Sequence, residues 1–333
     1  MNECPESLVS LYFKKNKIVM AKPFIKWAGG KGQLLSQIET FLPEGFNTIQ
    51  NLTYIEPFVG GGAMLFHMLS HHNNIKQAII NDINQNLITA YRIIQAQPKV
   101  LIERLYEIQA EYLALDEGRR QKYFYNKREV FNGDYTNDVE NTAMFIYLNR
   151  TCFNGLYREN SKGRFNVPFG RYANPTICDA ETILSDSELL QRVEILHGDY
   201  ALMENHINDN NTFMYIDPPY RPLNATSSFN SYVKEPFNDV EQIRLGEFFA
   251  RMSDKGYMMM LSNSDCCAKN SEDRFFEDLY GAYHIEHVWA SRGINAKATK
   301  RGKLTELLIF NYDNVVGDNV VVEANMIVEH TIL

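Results

Sequence analysis

The sequence predicts an α/β protein: an open sheet covered on both faces, with a mainly helical and loop subdomain inserted into it. Three observations predict this. Short apolar runs read as strands at 53–56, 78–81, 193–197, 213–217, 257–262, 285–289 and 306–312, and most are continuous rather than alternating, as in strands buried on both faces. Helical periodicity lies between them, at 86–95 and 239–253, and alternating strands and helices argue for an open α/β sheet. The rhythm fails from 91 to 190, where helices and loops run on without a clear core strand. The expected organisation is an N-terminal extension over 1–21, a core over 22–90 and 191–313, the insert over 91–190, and a tail over 314–333.

Composition narrows the class. A chain of 333 residues fits one large domain or a core plus insert, at roughly 100–200 residues per domain. Hydrophobic residues at 45% and charged residues at 22% describe an ordinary globular chain, and no apolar stretch approaches the ~18 residues a membrane span needs. The first residues lack the basic start, apolar core and small-residue cleavage site of a signal peptide. Five cysteines (Cys4, Cys152, Cys178, Cys266, Cys267) form no CxxC, so a reducing cytoplasm is expected, with Cys266 and Cys267 as packing residues. Net charge is −8, which by itself argues against nucleic acid. The distribution reverses that. Residues 14–31 carry six Lys/Arg and no acid, 147–172 carry five and Glu159 alone, and 290–303 carry five and none. Gathered on one face, these segments would form a footprint for phosphates; scattered, they are three solvated loops.

The chemistry-bearing motifs follow the strands in order. In PFIKWAGGKGQLL (23–35), Trp27, the Gly29-Gly30 pair and Lys31 suggest a wall over a nucleoside, although a helix entry with surface lysines has the same composition. In YIEPFVGGGAML (54–65), Gly60, Gly61 and Gly62 remove Cβ atoms after a strand, so a ligand or another backbone can come close, and the next helix presents free N–H groups. The pattern is not GxGxxG, which disfavours a nicotinamide enzyme. Asp82 ends the next strand, 26 residues after Glu56, where nucleoside-binding α/β folds place a ribose-binding acid; a helix N-cap is the plain alternative. HGDY (197–200) puts Asp199 at a third strand end, suited to an adenine amino group, with Tyr200 beside the ring. YIDPPY (215–220) is the most specific. Pro218 and Pro219 stiffen a turn and leave its carbonyls facing outward, so that Asp217 and the Pro218 carbonyl can hold the two N–H groups of a planar amine while Tyr220 stacks on its ring. No metal-ligand set is read: His284 and His287 alternate across a strand, and His71-His72 reads as a solvated turn.

These motifs, in this order, resemble the DNA adenine-N6 methyltransferases of the Dam type, which include the DpnII-like modification methylases. The resemblance runs from about residue 23 to 312. It implies a Rossmann-like, S-adenosylmethionine-dependent methyltransferase sheet carrying a DNA target-recognition insert. S-adenosylmethionine would be the cofactor and S-adenosylhomocysteine the product, with no metal. By resemblance, Trp27, Lys31, Pro57, Phe58, Gly60, Gly62, Asp82, Asp199, Tyr200 and Asp217 bind the cofactor, and Asp217, Pro218, Pro219 and Tyr220 form the catalytic motif. NRTCFNGLYR (149–158) is similar to a hairpin that reads GATC. Arg158 matches the arginine that reads guanine, Lys26 a lysine at the first guanine, Leu156 and Pro168 contacts to the thymine methyl, Asn154 a wedge into the duplex, and Tyr172 a further hairpin position. Arg150, Arg164 and Arg171 are candidates for phosphate or flanking contacts. Residues 217–237 are expected to close over a flipped base. The expected partner is double-stranded DNA, acted on by a monomer away from any membrane. A cognate restriction endonuclease acting on the same site outside any complex is compatible with the resemblance. Two alternatives stay open: another planar amine as acceptor (cytosine N4, an RNA base or a protein amide), and a DNA-binding regulator that keeps the fold without turnover.

Overall fold

The computed structural model describes residues 20–133, 136–207, 211–222, 237–291 and 303–314. The extension before Met20, most of the expected closing loop, most of the third basic segment and the tail after Asn314 lie outside the described residues.

Seven strands form one sheet in the order β3-β2-β1-β4-β5-β7-β6. In chain order the elements are α1 (Leu35–Glu39), β1 (Leu52–Glu56), α2 (Ala63–His71), β2 (Ile75–Asp82), α3 (Gln85–Ala96), α4 (Pro98–Leu113), α5 (Glu117–Phe131), α6 (Asp138–Thr151), α7 (Ala180–Leu190), β3 (Val193–His197), β4 (Thr212–Ile216), α8 (Asp239–Asp254), β5 (Met258–Ser264), α9 (Phe275–Tyr280), β6 (His284–Ser291) and β7 (Lys303–Phe310). All seven runs read as strands are strands. β1 to β5 pair in parallel, and β7 inserts antiparallel between β5 and β6. Every residue of β4 is buried, as expected of a central strand covered on both sides.

Local chemistry sets the helix starts. The Asn84 side chain accepts from the Leu87 N–H to begin α3, Asn137 accepts from Glu140 to begin α6, and Asn238 accepts from Val240 and Glu241 to begin α8. Pro98 opens α4, where its missing N–H costs nothing. The helix α6 is buried along almost its whole length, from Thr142 to Asn149. It therefore forms the centre of the helical insert, packed on α3, α4 and α5. Its apolar residues and those of one sheet face form one continuous core, from Ile80 on β2 to Tyr147 on α6. Large side chains such as Tyr147 and Phe145 each contribute about 1.5–3 kcal/mol on burial, enough to dock the insert on the core.

One expectation fails here. His72 is not in a solvated turn. It is buried at the end of α2, with Nδ1 2.7 Å from Asn47 Oδ1 and Nε2 2.9 Å from Glu39 Oε1. The sequence hid this because Glu39 and Asn47 reach His72 only after α1 packs on α2. Among the described cysteines all four are free thiols, and burial pushes the Cys152 and Cys178 thiols up to about 12.

Candidate active site

The strand order reverses between β1 and β4, and in open α/β sheets ligands bind beyond the carboxyl ends of the strands at such a switch point. The glycine turn follows β1 and the Asp217 turn follows β4, so these two motifs meet there. Asp82, at the end of β2, reaches into the same region. Its Oδ2 accepts from the Gly60 N–H at 3.1 Å and its Oδ1 from the Asn84 N–H at 2.9 Å. Asn84, not Asp82, caps α3, which leaves the carboxylate to brace the glycine turn. Burial pushes the Asp82 carboxyl up, and those N–H groups draw it back.

The glycines also make room for protein neighbours that the sequence did not name. A Cβ on Gly60 would lie 2.9 Å from Trp27 Cδ1, and one on Gly61 3.0 Å from Trp27 Cβ. A Cβ on Gly62, at φ +77°, would lie 2.4 Å from the Tyr91 hydroxyl. That hydroxyl donates to the Gly60 carbonyl at 3.0 Å. The turn is thus glycine-rich to admit the Trp27 indole and the Tyr91 hydroxyl. Pro57 is buried, and Phe58 packs on Tyr200 with ring centroids 5.2 Å apart.

Asp217 lies at the end of β4. Its Oδ1 receives the Lys31 ammonium at 2.8 Å and the Ser262 hydroxyl at 3.0 Å. Lys31 is only 5% exposed, donates to the Gly29 carbonyl at 3.1 Å and lies 4.4 Å from the centre of the Tyr220 ring. Burial pushes the Asp217 carboxyl up, while Lys31 and Ser262 pull it down and Glu306 pushes it up again. An ammonium so placed favours the ionised carboxylate, the form that accepts from an amine. The Tyr220 hydroxyl, kept protonated by burial, donates to Glu306 Oε2 at 2.7 Å. The carbonyls of the turn do not all face outward: Pro219 O accepts from Gln242 Nε2 at 3.0 Å, because α8 packs on the turn. Asn263 then accepts from the Arg221 N–H and donates to Gln242, so the polar end of β5 clamps the motif.

Asp199 caps the turn at Tyr200 and pairs with Arg244, whose two terminal nitrogens lie 2.6 and 2.9 Å from its oxygens. Burial raises the Asp199 carboxyl, but the Arg244 hydrogen bonds outweigh it and hold it below the usual range. Tyr200 is buried, with the Arg244 guanidinium 4.7 Å above its ring. Next to Asp82, Ile83 is 61% exposed, an apolar surface that the sequence did not single out.

The insert delivers a second group of residues. A hairpin closes where Cys152 bridges Phe169 and Glu159 bridges Phe165. Asn154 sits just past the Cys152 bridge, at the base of the hairpin, with φ 59°, and Leu156, Pro168, Arg171 and Tyr172 are also exposed. Lys26 joins them from far away in sequence. The buried Asn149 accepts from the Lys26 N–H at 2.9 Å and donates to the carbonyls of Lys26 and Gly155. Arg158 is exposed and its Nε donates to Asn166 Oδ1 at 2.6 Å. Arg150 is placed apart from this group: it turns inward and donates to the Phe24 carbonyl at 2.7 Å. Tyr157 points back from the hairpin and stacks on Trp27, at 5.3 Å between centroids and 19° between planes. Its hydroxyl contacts Glu159 and receives a bond from Asn86 on α3. The hairpin therefore touches the glycine turn through one indole.

Sequence reasoning missed Asn149, Tyr157, Ser262, Arg244 and Glu306. The polar end of β5, SNSD at 262–265, was the one available signal, since four polar residues rarely end a buried strand without partners. Among the described residues no group of three or more His, Cys, Asp or Glu is arranged to hold a metal ion, and no helix is long and apolar enough to cross a membrane.

Comparison with known proteins agrees with this geometry. A family model described as D12 class N6 adenine-specific DNA methyltransferase matches residues 27–294. The chain is 47% identical over 294 residues to the Type II methyltransferase M.MjaIII of Methanocaldococcus jannaschii, covering 87% of this chain and 99% of that protein. It is 40% identical over 306 residues to the Type II methyltransferase M1.LlaDCHI of Lactococcus lactis subsp. cremoris, covering 90% and 99%. It is 31% identical over 303 residues to a DNA adenine methylase of Escherichia coli, covering 91% and 98%.

Proposed function

The chain belongs to the D12 class of N6 adenine-specific DNA methyltransferases, and on that premise we propose that it methylates an adenine flipped out of duplex DNA, within GATC, using S-adenosylmethionine. The observation that carries the reading is the Asp217 turn at the sheet's switch point, with Lys31 and Ser262 both on Oδ1. That arrangement turns the second carboxylate oxygen to the incoming amine.

The residues fit the donor. Asp82 offers a carboxylate for ribose hydroxyls, the exposed Ile83 an apolar face for a purine, and Asp199 an acceptor for its amino group. Because the target atom lies inside the duplex stack, the base must leave the helix to reach Asp217. Asp217 and the Pro218 carbonyl take the two N–H groups of N6, which aims its lone pair at the methyl carbon. Bound S-adenosylmethionine would supply the methyl group, its methyl–sulfur bond breaking with the electron pair left on sulfur as N6 gains the new N–C bond. N6 becomes cationic, and its surplus proton passes to the Asp217 carboxylate and on to water. Two carboxylates, one ammonium and the Tyr220 face surround this point, a net negative setting that favours the developing charge.

Residues 91–190 act as the target-recognition subdomain in this reading. Arg158 and Lys26 suit the O6/N7 edge of guanine, and Leu156 and Pro168 the thymine methyl. Phe153, exposed by 53% beside Asn154, adds a stacking surface. Exposed Arg171 suits a phosphate, whereas Arg150 supports the hairpin from within. The test is methyl transfer from labelled S-adenosylmethionine into duplexes containing GATC, GTTC or GATG, with nucleoside analysis. N6-methyladenine in the GATC duplex alone is the expected result. Equal labelling of all three would discard the specificity reading and keep the chemistry.

A further inference from the structure

We propose that Glu306 is a positioning residue of the methyl-transfer site, holding Tyr220 and Lys31 in the places from which they act on the base and on Asp217. The inference rests on the reading of Asp217 as the acceptor of the amine.

Glu306 lies on β7, far in sequence from every motif described above. β7 runs antiparallel to β5 and pairs Glu306 with Ser264, the last residue of that strand. An early residue of β7 is thereby carried to the end of the sheet where Asp217 sits. Its Oε2 accepts from the Tyr220 hydroxyl at 2.7 Å and lies 3.7 Å from Lys31 Nζ. Lys31 lies 2.8 Å from Asp217 Oδ1 and 4.4 Å from the Tyr220 ring centre. Glu306, Tyr220 and Lys31 meet pairwise, and Asp217 joins this cluster through Lys31. Beside it opens a cavity of about 280 Å³, lined by Gly29 to Leu34 and Glu306, with room for a planar base.

The cluster explains why Lys31 tolerates burial: two carboxylates and an aromatic face offset the cost of taking an ammonium at 5% exposure out of water. Glu306 also holds the phenol by its hydroxyl, which fixes the plane of the ring expected to lie on the base. The groups facing Asp217 are Lys31 from the segment before α1, Glu56 from β1, Tyr215 from β4, Tyr220 from the turn, Ser262 from β5 and Glu306 from β7. Of these, Glu306 supplies negative charge from β7, and Glu56 does so from β1. Glu306 raises the proton affinity of Asp217, which eases uptake of the proton released by methylated N6.

The experiment uses the full chain with Glu306→Gln, Glu306→Ala and Tyr220→Phe, on a duplex that the wild-type chain methylates. Single-turnover rate constants, cofactor dissociation constants and pH–rate profiles are measured together. Glu306→Gln keeps an acceptor for Tyr220 and removes the charge. We expect its rate constant at saturation to fall about tenfold, with cofactor affinity within about threefold of wild type. Its acidic limb should move to lower pH, because the like charge that raises Asp217 is gone. Glu306→Ala should lose more, and less than additively with Tyr220→Phe. Wild-type rate and an unmoved limb in Glu306→Gln would overturn the proposal. So would a loss that vanishes at saturating cofactor and DNA, or a lowered melting temperature with an unmoved limb. Retained turnover in Asp217→Ala would instead overturn the reading of the motif itself.

Discussion

Gly62→Ala should cost the protein about 3–6 kcal/mol, and most of that cost should depend on one hydroxyl. Gly62 has φ +77°, a region that costs an L-residue about 1–2 kcal/mol. Its new Cβ would lie 2.4 Å from the Tyr91 hydroxyl and 3.0 Å from Phe66 Cε2. Tyr91 cannot yield freely, because its hydroxyl donates to the Gly60 carbonyl at 3.0 Å and its ring is fully buried. Overpacking of this kind costs about 1–3 kcal/mol, and breaking the bond adds about 1 kcal/mol. In a Tyr91→Phe background the hydroxyl is absent, so the same substitution should cost only about 1–2 kcal/mol. Urea unfolding of the four proteins measures this as shifts in midpoint at unchanged slope, and the cycle should give a coupling of about 2–4 kcal/mol. Gly61→Ala is the internal comparison. Its φ is ordinary and the one tight contact of its Cβ is Trp27 Cβ at 3.0 Å, so about 1 kcal/mol is expected. If Gly62→Ala costs under 1 kcal/mol, or costs the same without the Tyr91 hydroxyl, the account of the turn as a seat for Tyr91 and Trp27 is wrong.

Three further outcomes are expected. Arg158→Ala should relax discrimination at one guanine by about 1–3 kcal/mol, read as kcat/KM ratios across single-base variants of the site; an unchanged ratio removes Arg158 from base reading. Tyr157→Ala should destabilise the chain by about 2–4 kcal/mol and weaken cofactor binding, whereas Tyr157→Phe keeps the stack on Trp27 and should lose only about 1 kcal/mol; equal losses in calorimetry would shift the weight from the ring to its hydroxyl. Asp186 is buried, with the Lys22 N–H on Oδ1 and its other oxygen unpaired, and burial pushes its carboxyl up to about 8. A raised carboxyl contributes full stability below its unfolded value near 4 and loses it as pH rises towards about 8. Asp186→Asn should therefore flatten the pH dependence of unfolding between those values, and an unchanged slope would show the carboxylate to be charged and compensated.

The strands were legible because each is a short continuous apolar run, and burial on both faces leaves that mark in any order of pairing. The motifs were legible for a related reason. Asp82, Asp199 and Asp217 each close such a run, and the fold can only place them at one edge of the sheet. His72 and Arg150 were misjudged or left open because their surroundings come from segments distant in sequence: Glu39 and Asn47 for one, the Phe24 carbonyl for the other. The three consecutive glycines were visible as a demand for space, but the sequence does not say for whom. The indole of Trp27 and the hydroxyl of Tyr91 answer that only once packed.

Local chemistry, then, determined the elements, the caps and the acids at the strand ends, since these depend on neighbours within a few residues. Tertiary structure decided the partners. The antiparallel entry of β7 brings Glu306 to Tyr220, the burial of Lys31 turns a surface-looking lysine into the counter-ion of Asp217, and Asn149 ties Lys26 to the hairpin of the insert. Each pairing joins residues dozens to hundreds of positions apart, and the energy of such a contact exists only when the sheet order and the helical core have brought the two groups within a few ångströms.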